Sequence, residues 1–147
     1  MAQDGYSKDE IIETATKMID SARVYFLVDS LKYLKKGGRI NATAATVGDI
    51  LNIKPILSID GGLVTVADKV RGSKKALSRM LDLIDEAGIR DAKEVYIFDG
   101  AAGDELIEQV RSELNERFGV TNAQIAIVGP VIGTHAGPGL VGILIFK

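Results

Sequence analysis

Lys54-Pro55-Ile56-Leu57-Ser58-Ile59, then Asp60-Gly61-Gly62, then Leu63-Val64-Thr65-Val66-Ala67-Asp68-Lys69-Val70 is the stretch that decides the fold. Two runs rich in β-branched and aliphatic residues flank a glycine pair that admits positive φ, so the segment reads as a β-hairpin. The segments around it are of another kind. Helical periodicity before and after it alternates with single apolar strand-like runs, and that alternation belongs to an α/β protein. An antiparallel hairpin inside such a series predicts a mixed sheet.

Working outward toward the N-terminus, Ser7 and Glu10 have the spacing of a capping box, and Asp9 and Glu10 suit the positive start of a helix. Ile11, Ile12, Ala15, Met18 and Ile19 continue at helical spacing, giving a helix from Asp9 to about Asp20. Val24 to Val28 reads as a buried strand. Asp29 or Ser30 caps a short helix from Leu31 to Lys36, which Gly37 stops. Asn41 to Asn52 reads as helical again, with Ala42, Ala44 and Ala45 as small packing residues.

Toward the C-terminus, Ser73 is the expected cap of a helix from Lys74 to Glu86, whose Leu77, Met80, Leu81 and Ile84 form one apolar face. Glu94 to Phe98 is a strand, and Asp104 to Phe118 a helix. Gln124 to Val128 and Val141 to Phe146 complete six strands interleaved with about five helices. The expected fold is a two-layer α/β sandwich: a six-stranded mixed β-sheet with helices packed mainly on one face. Several strands are apolar throughout, which predicts that something covers the second face as well.

Composition narrows the function. The chain has 147 residues, no cysteine, one histidine and a net charge of −2. The absence of cysteine excludes disulfides, thiolate catalysis and zinc–thiolate sites, and a lone histidine excludes a multi-histidine metal centre. The mild acidity and scarce aromatics argue against general nucleic-acid binding. No run reaches the length of a membrane-spanning helix, and the first residues lack a signal core, so the chain reads as cytoplasmic.

Three segments carry possible chemistry. Gly133-Thr134-His135-Ala136-Gly137-Pro138-Gly139 reads as a loop between two strands, with free backbone N–H groups able to meet an anion and a histidine beside them. The plain alternative is a tight connection. Gly37-Gly38-Arg39 is either a helix stop with a solvated arginine or a clamp for a carboxylate or phosphate. Arg71-Gly72-Ser73-Lys74-Lys75 lacks the spacing of a Walker loop and is a solvated basic cap or a docking patch for an acidic partner. Asp99 to Gly103 lacks the full dinucleotide fingerprint. No nucleophile stands beside a base in any recognised motif.

Taken in order, Leu31 to Ile40 with its Lys35-Lys36-Gly37-Gly38-Arg39 core, Leu51 to Leu57, Lys69-Val70-Arg71-Gly72 and Gly133 to Gly139 resemble the DegV family of bacterial fatty-acid-binding proteins. The resemblance runs across nearly the whole chain. It implies one domain of two, with a fatty acid held between them and presented to a fatty-acid kinase that phosphorylates the carboxylate. This chain would be the C-terminal domain of that pair, with a six-stranded mixed sheet. The N-terminal domain would be absent, supplied by another chain or replaced by a second copy of this one. Carried over, His135, Arg39, Thr134, Gly133 and Gly38 surround the carboxyl group, and Arg71, Lys74 and Lys75 meet the kinase. The chain would then be no enzyme itself and would need neither cofactor nor metal. One departure is Asn41-Ala42 after Gly38-Arg39-Ile40, where many members have a serine and a basic residue. It falls on the docking side of the pattern.

Overall fold

A computed structural model describes residues 1–40 and 52–146. The expected helix from Asn41 to Asn52 lies outside the described residues, apart from Asn52 itself, a turn residue with φ 65°. Six strands form one mixed sheet: β1 (Ala22–Leu27), β2 (Ile53–Asp60), β3 (Leu63–Arg71), β4 (Glu94–Gly100), β5 (Gln124–Ile127) and β6 (Leu140–Phe146). Their spatial order is β3-β2-β1-β6-β4-β5. Only β4 and β5 run parallel; the other neighbours are antiparallel. Among the described residues, five α-helices accompany the sheet: α1 (Lys8–Ser21), α2 (Lys32–Lys36), α3 (Ser73–Glu86), α4 (Asp104–Phe118) and α5 (Pro130–Ala136).

The hairpin forms as its glycines require. Asp60 pairs with Leu63, and Gly61 and Gly62 take φ of 55° and 80°, the twisted two-residue connection whose hand matches the strands. Alternation along the strands sorts side chains onto two faces. Ile56, Val95, Ile97, Val141, Ile143 and Ile145 point to the face that α3 and α4 cover with Leu77, Met80, Leu81, Ile84, Val110 and Leu114. This is the main core. Phe26, Val28, Leu57 and Leu140 point the other way and meet Leu31 and Leu34 from the α2 segment, and Ala136 from α5. Among the described residues, α2 and α5, which touch each other, cap the second face at one end, while α3 and α4 lie on the first.

The local signals held at most termini. Ser7 and Glu10 form the reciprocal capping box. Gly119 closes α4 in the left-handed conformation. Three expectations fail. Neither Asp29 nor Ser30 holds the cap position of α2; Leu31 does, and the Ser30 hydroxyl accepts from the Lys32 amide at 3.2 Å just ahead of the helix. Ser73 does not cap α3; it is the first helical residue, and Gly72 holds the cap position with φ 90°. The segment leading into the histidine is not an open loop. Pro130 sits in the first turn of a helix after Gly129, where its missing N–H costs nothing, and that helix carries Gly133, Thr134 and His135.

Candidate binding site: an apolar groove with a basic end

The groove lies on the second face. Val24 and Phe26 of β1, Val64 of β3, Phe98 of β4 and Leu140 of β6 line it from the sheet, and the hairpin tip, the end of β5 and α5 form its sides. It encloses about 420 Å³, within the usual range for sites that take a small organic ligand.

Polar groups enter at one place. Arg39 and His135 line the groove together with Gly38, and among the described lining residues there is no carboxylate. Arg39 reaches there because the chain turns sharply after α2. Gly37 caps the helix, and Gly38 takes φ 63°, which a residue with a side chain adopts at a cost. The Arg39 guanidinium donates to the Gly37 carbonyl at 3.1 Å and stays exposed. His135 comes from α5, and its Nδ1 is buried with no hydrogen-bond partner among the described residues. An imidazole used as a general base is normally oriented by a second group, and no carboxylate among the described residues does that.

The remaining predicted residues divide. Gly133 and Thr134 are not among the lining residues. Thr134 Oγ1 donates to the Pro130 carbonyl at 2.7 Å, one helical turn back. The expectation of free backbone N–H groups is corrected: Gly133, Gly137 and Gly139 donate to Gly129, Gly133 and Gly100. Helix formation consumes the donors that an open loop would have offered. Arg71, Lys74 and Lys75 lie together at the end of β3 and the start of α3, all exposed. Lysines in the first turn of a helix add to its positive end, so positive charge gathers there. Asp99 accepts from the Ala102 amide at 3.0 Å and so shapes its own turn.

Sequence reasoning missed the apolar rim. Ile59, Leu63, Ile127, Val131 and Ile132 all line the groove, yet each is more than half exposed. For Ile127, Val131 and Ile132 the signal was present in the apolar run from Ile125 to Ile132, which only Gly129 and Pro130 interrupt. Among the described residues, no group of acidic residues or histidine could hold a metal ion, and no helix is long and apolar enough to cross a membrane.

A family model described as "Uncharacterised protein, DegV family" matches residues 1–147. The chain belongs to the DegV family. A DegV domain-containing protein of Clostridium acetobutylicum is 36% identical to it over 148 residues, covering 100% of this chain and 52% of the relative. Among solved structures, a fatty acid binding DegV family protein of Streptococcus agalactiae superposes with TM-score 0.85 at 31% identity, over 99% of this chain and 52% of that one. DegV of Bacillus subtilis, a fatty acid binding protein, gives TM-score 0.79 at 33% identity, with 99% and 52% covered. This DegV chain therefore spans about half the length of the relatives it matches.

Proposed function

We propose that this chain binds a long-chain fatty acid in the groove, with the carboxylate held at Arg39, His135 and Gly38. The observation that carries the reading is an apolar trough whose described lining has an arginine and an imidazole at one place and no opposing acid. Each buried methylene contributes about 0.8 kcal/mol, so a sixteen-carbon tail supplies roughly 10 kcal/mol before ordering and association costs. A guanidinium and an imidazole then fix register through charge-assisted hydrogen bonds. The similar proteins of known structure, described as fatty-acid-binding, support the same ligand class.

In this reading the chain is the C-terminal half of a two-domain carrier working in the cytoplasm. The exposed rim is where the N-terminal domain closes over the acyl chain. Arg71, Lys74 and Lys75 form the surface that a fatty-acid kinase meets, and the phosphoryl chemistry belongs to that kinase. Native mass spectrometry of the chain with added palmitate tests the core of the reading. A 1:1 complex is expected, weakened in Arg39→Ala and in His135→Ala. If no complex forms, alone or with the other half supplied in trans, the reading fails.

A second reading is favoured by the rim and by α1, none of whose residues is buried and whose Ile12 and Ile19 are 51% and 73% exposed. The chain would then be an interaction module that covers its apolar face with another polypeptide, or a second copy, and holds no lipid itself.

A further inference from the structure

Gly37 is a glycine for a reason its backbone does not explain. Its φ and ψ are −79° and −3°, a right-handed conformation open to any L-residue. Gly38, at φ 63°, needs its glycine for the turn; Gly37 does not. What forbids a side chain at 37 is His135. A Cβ there would collide with Nδ1 of the imidazole and stand 3.2 Å from both Cγ and Cε1.

The arrangement is reciprocal. Gly37 is the C-cap of α2, and Gly137 is the C-cap of α5. A Cβ on Gly137 would stand 2.7 Å and 2.8 Å from Cε2 and Cγ of Tyr33, which belongs to α2. Each helix therefore ends on a glycine that receives a ring from the other. The Gly37 peptide also accepts from the Arg39 guanidinium, so one residue touches both basic groups of the groove. We propose that Gly37 is the positioning residue for His135: its missing side chain seats the imidazole against the end of α2, and this ring-into-glycine exchange holds His135 and Arg39 as one rigid pair. The consequence for ligand binding rests on the reading of His135 as a carboxylate ligand; the seat itself does not.

The test begins without ligand. His135 is the only histidine, so its ring resonances in a long-range ¹H–¹⁵N spectrum report its position without ambiguity. Gly37→Ala should displace those resonances and lower the melting temperature by about 5 °C, a shift on the scale of one lost core contact in a chain this size. In a His135→Ala background the same change should be neutral or raise it, since alanine suits this backbone and restricts the unfolded chain. If Gly37→Ala alone does not fold, the double variant should. Unmoved ring resonances, an equal loss in both backgrounds, or a double variant that also fails to fold would overturn the proposal. Palmitate binding separates the two claims. A roughly tenfold loss in Gly37→Ala and in His135→Ala supports both. Wild-type affinity in His135→Ala with the ligand-free results intact would sink the carboxylate reading and leave the seat standing. Wild-type affinity in Gly37→Ala, beside a loss in His135→Ala, would contradict the positioning role.

Discussion

At the scale of single residues, the groove separates polar side chains left open to it from side chains spent on building its wall. Arg39 is exposed at the groove, and beyond its own Gly37 carbonyl it has donors to spare. A hydrogen bond to a charged group contributes about 1.5–3 kcal/mol, so Arg39→Ala should weaken palmitate binding roughly 10- to 100-fold. It should also shrink the preference for palmitate over its methyl ester, read by competition. Thr134 is spent on the helix, with its hydroxyl on the Pro130 carbonyl. Thr134→Val should therefore leave affinity within about twofold; a loss like that of Arg39→Ala would return the hydroxyl to the head-group site. Gly37-Gly38-Arg39 and the glycine segment around His135 stood out in the sequence as candidate segments, and both residues line the groove. The contact of His135 with Gly37 did not stand out, because 98 positions separate the two and no local pattern records a meeting of helix ends.

At the scale of elements, the strands and long helices followed from periodicity, while the short helices depended on context. The hairpin, the Ser7–Glu10 box and the apolar face of α3 all rest on neighbours a few residues apart, and they formed as read. Helix α5 was misread as loop because Gly133 and Thr134 are poor helix formers. The Gly129-Pro130 pair was the available signal for a helix start. The α3 face should dominate stability. Leu81 is fully buried in the main core, so Leu81→Ala should cost about 2–5 kcal/mol in urea unfolding, with little change in slope. An acid-sensitive tie joins α3 to β3. Arg79 donates to Asp68 at 2.6 Å and to Glu86 at 2.7 Å. The hydrogen bond from Arg79, with the Lys69 amide, holds the Asp68 carboxyl below its ordinary value near 3.8. A carboxyl whose pKa falls on folding stabilises the fold above its unfolded pKa, and that contribution fades as pH drops through the folded value. Asp68→Asn should therefore lower the melting temperature at pH 7, and the gap to wild type should close as pH falls through and below the ordinary carboxylate range. Curves that stay parallel across that window would remove Asp68 from the account.

At the scale of the whole molecule, the two faces of the sheet have different fates. The first is sealed by α3 and α4. Among the described residues, the second is sealed where α2 meets α5, and its rim offers Val131 and Ile127 at 78% and 74% exposure. Apolar character on both faces was legible in the strands, but which part stays open depends on where two short helices land, and periodicity does not encode that. An open face of this kind should self-associate. Sedimentation velocity should show concentration-dependent dimers, reduced by palmitate together with the other half in trans, and reduced also by Ile132→Asp without a change in melting temperature. The measurement that tests the account most directly is isotope-filtered NOE spectroscopy of the chain with ¹³C-palmitate. The account predicts contacts from the acyl chain to methyl groups of Val24, Val64 and Leu140, and a carboxylate ¹³C shift that Arg39→Ala abolishes. Contacts to methyl groups on the α3–α4 side, or a carboxylate shift indifferent to Arg39, would contradict it.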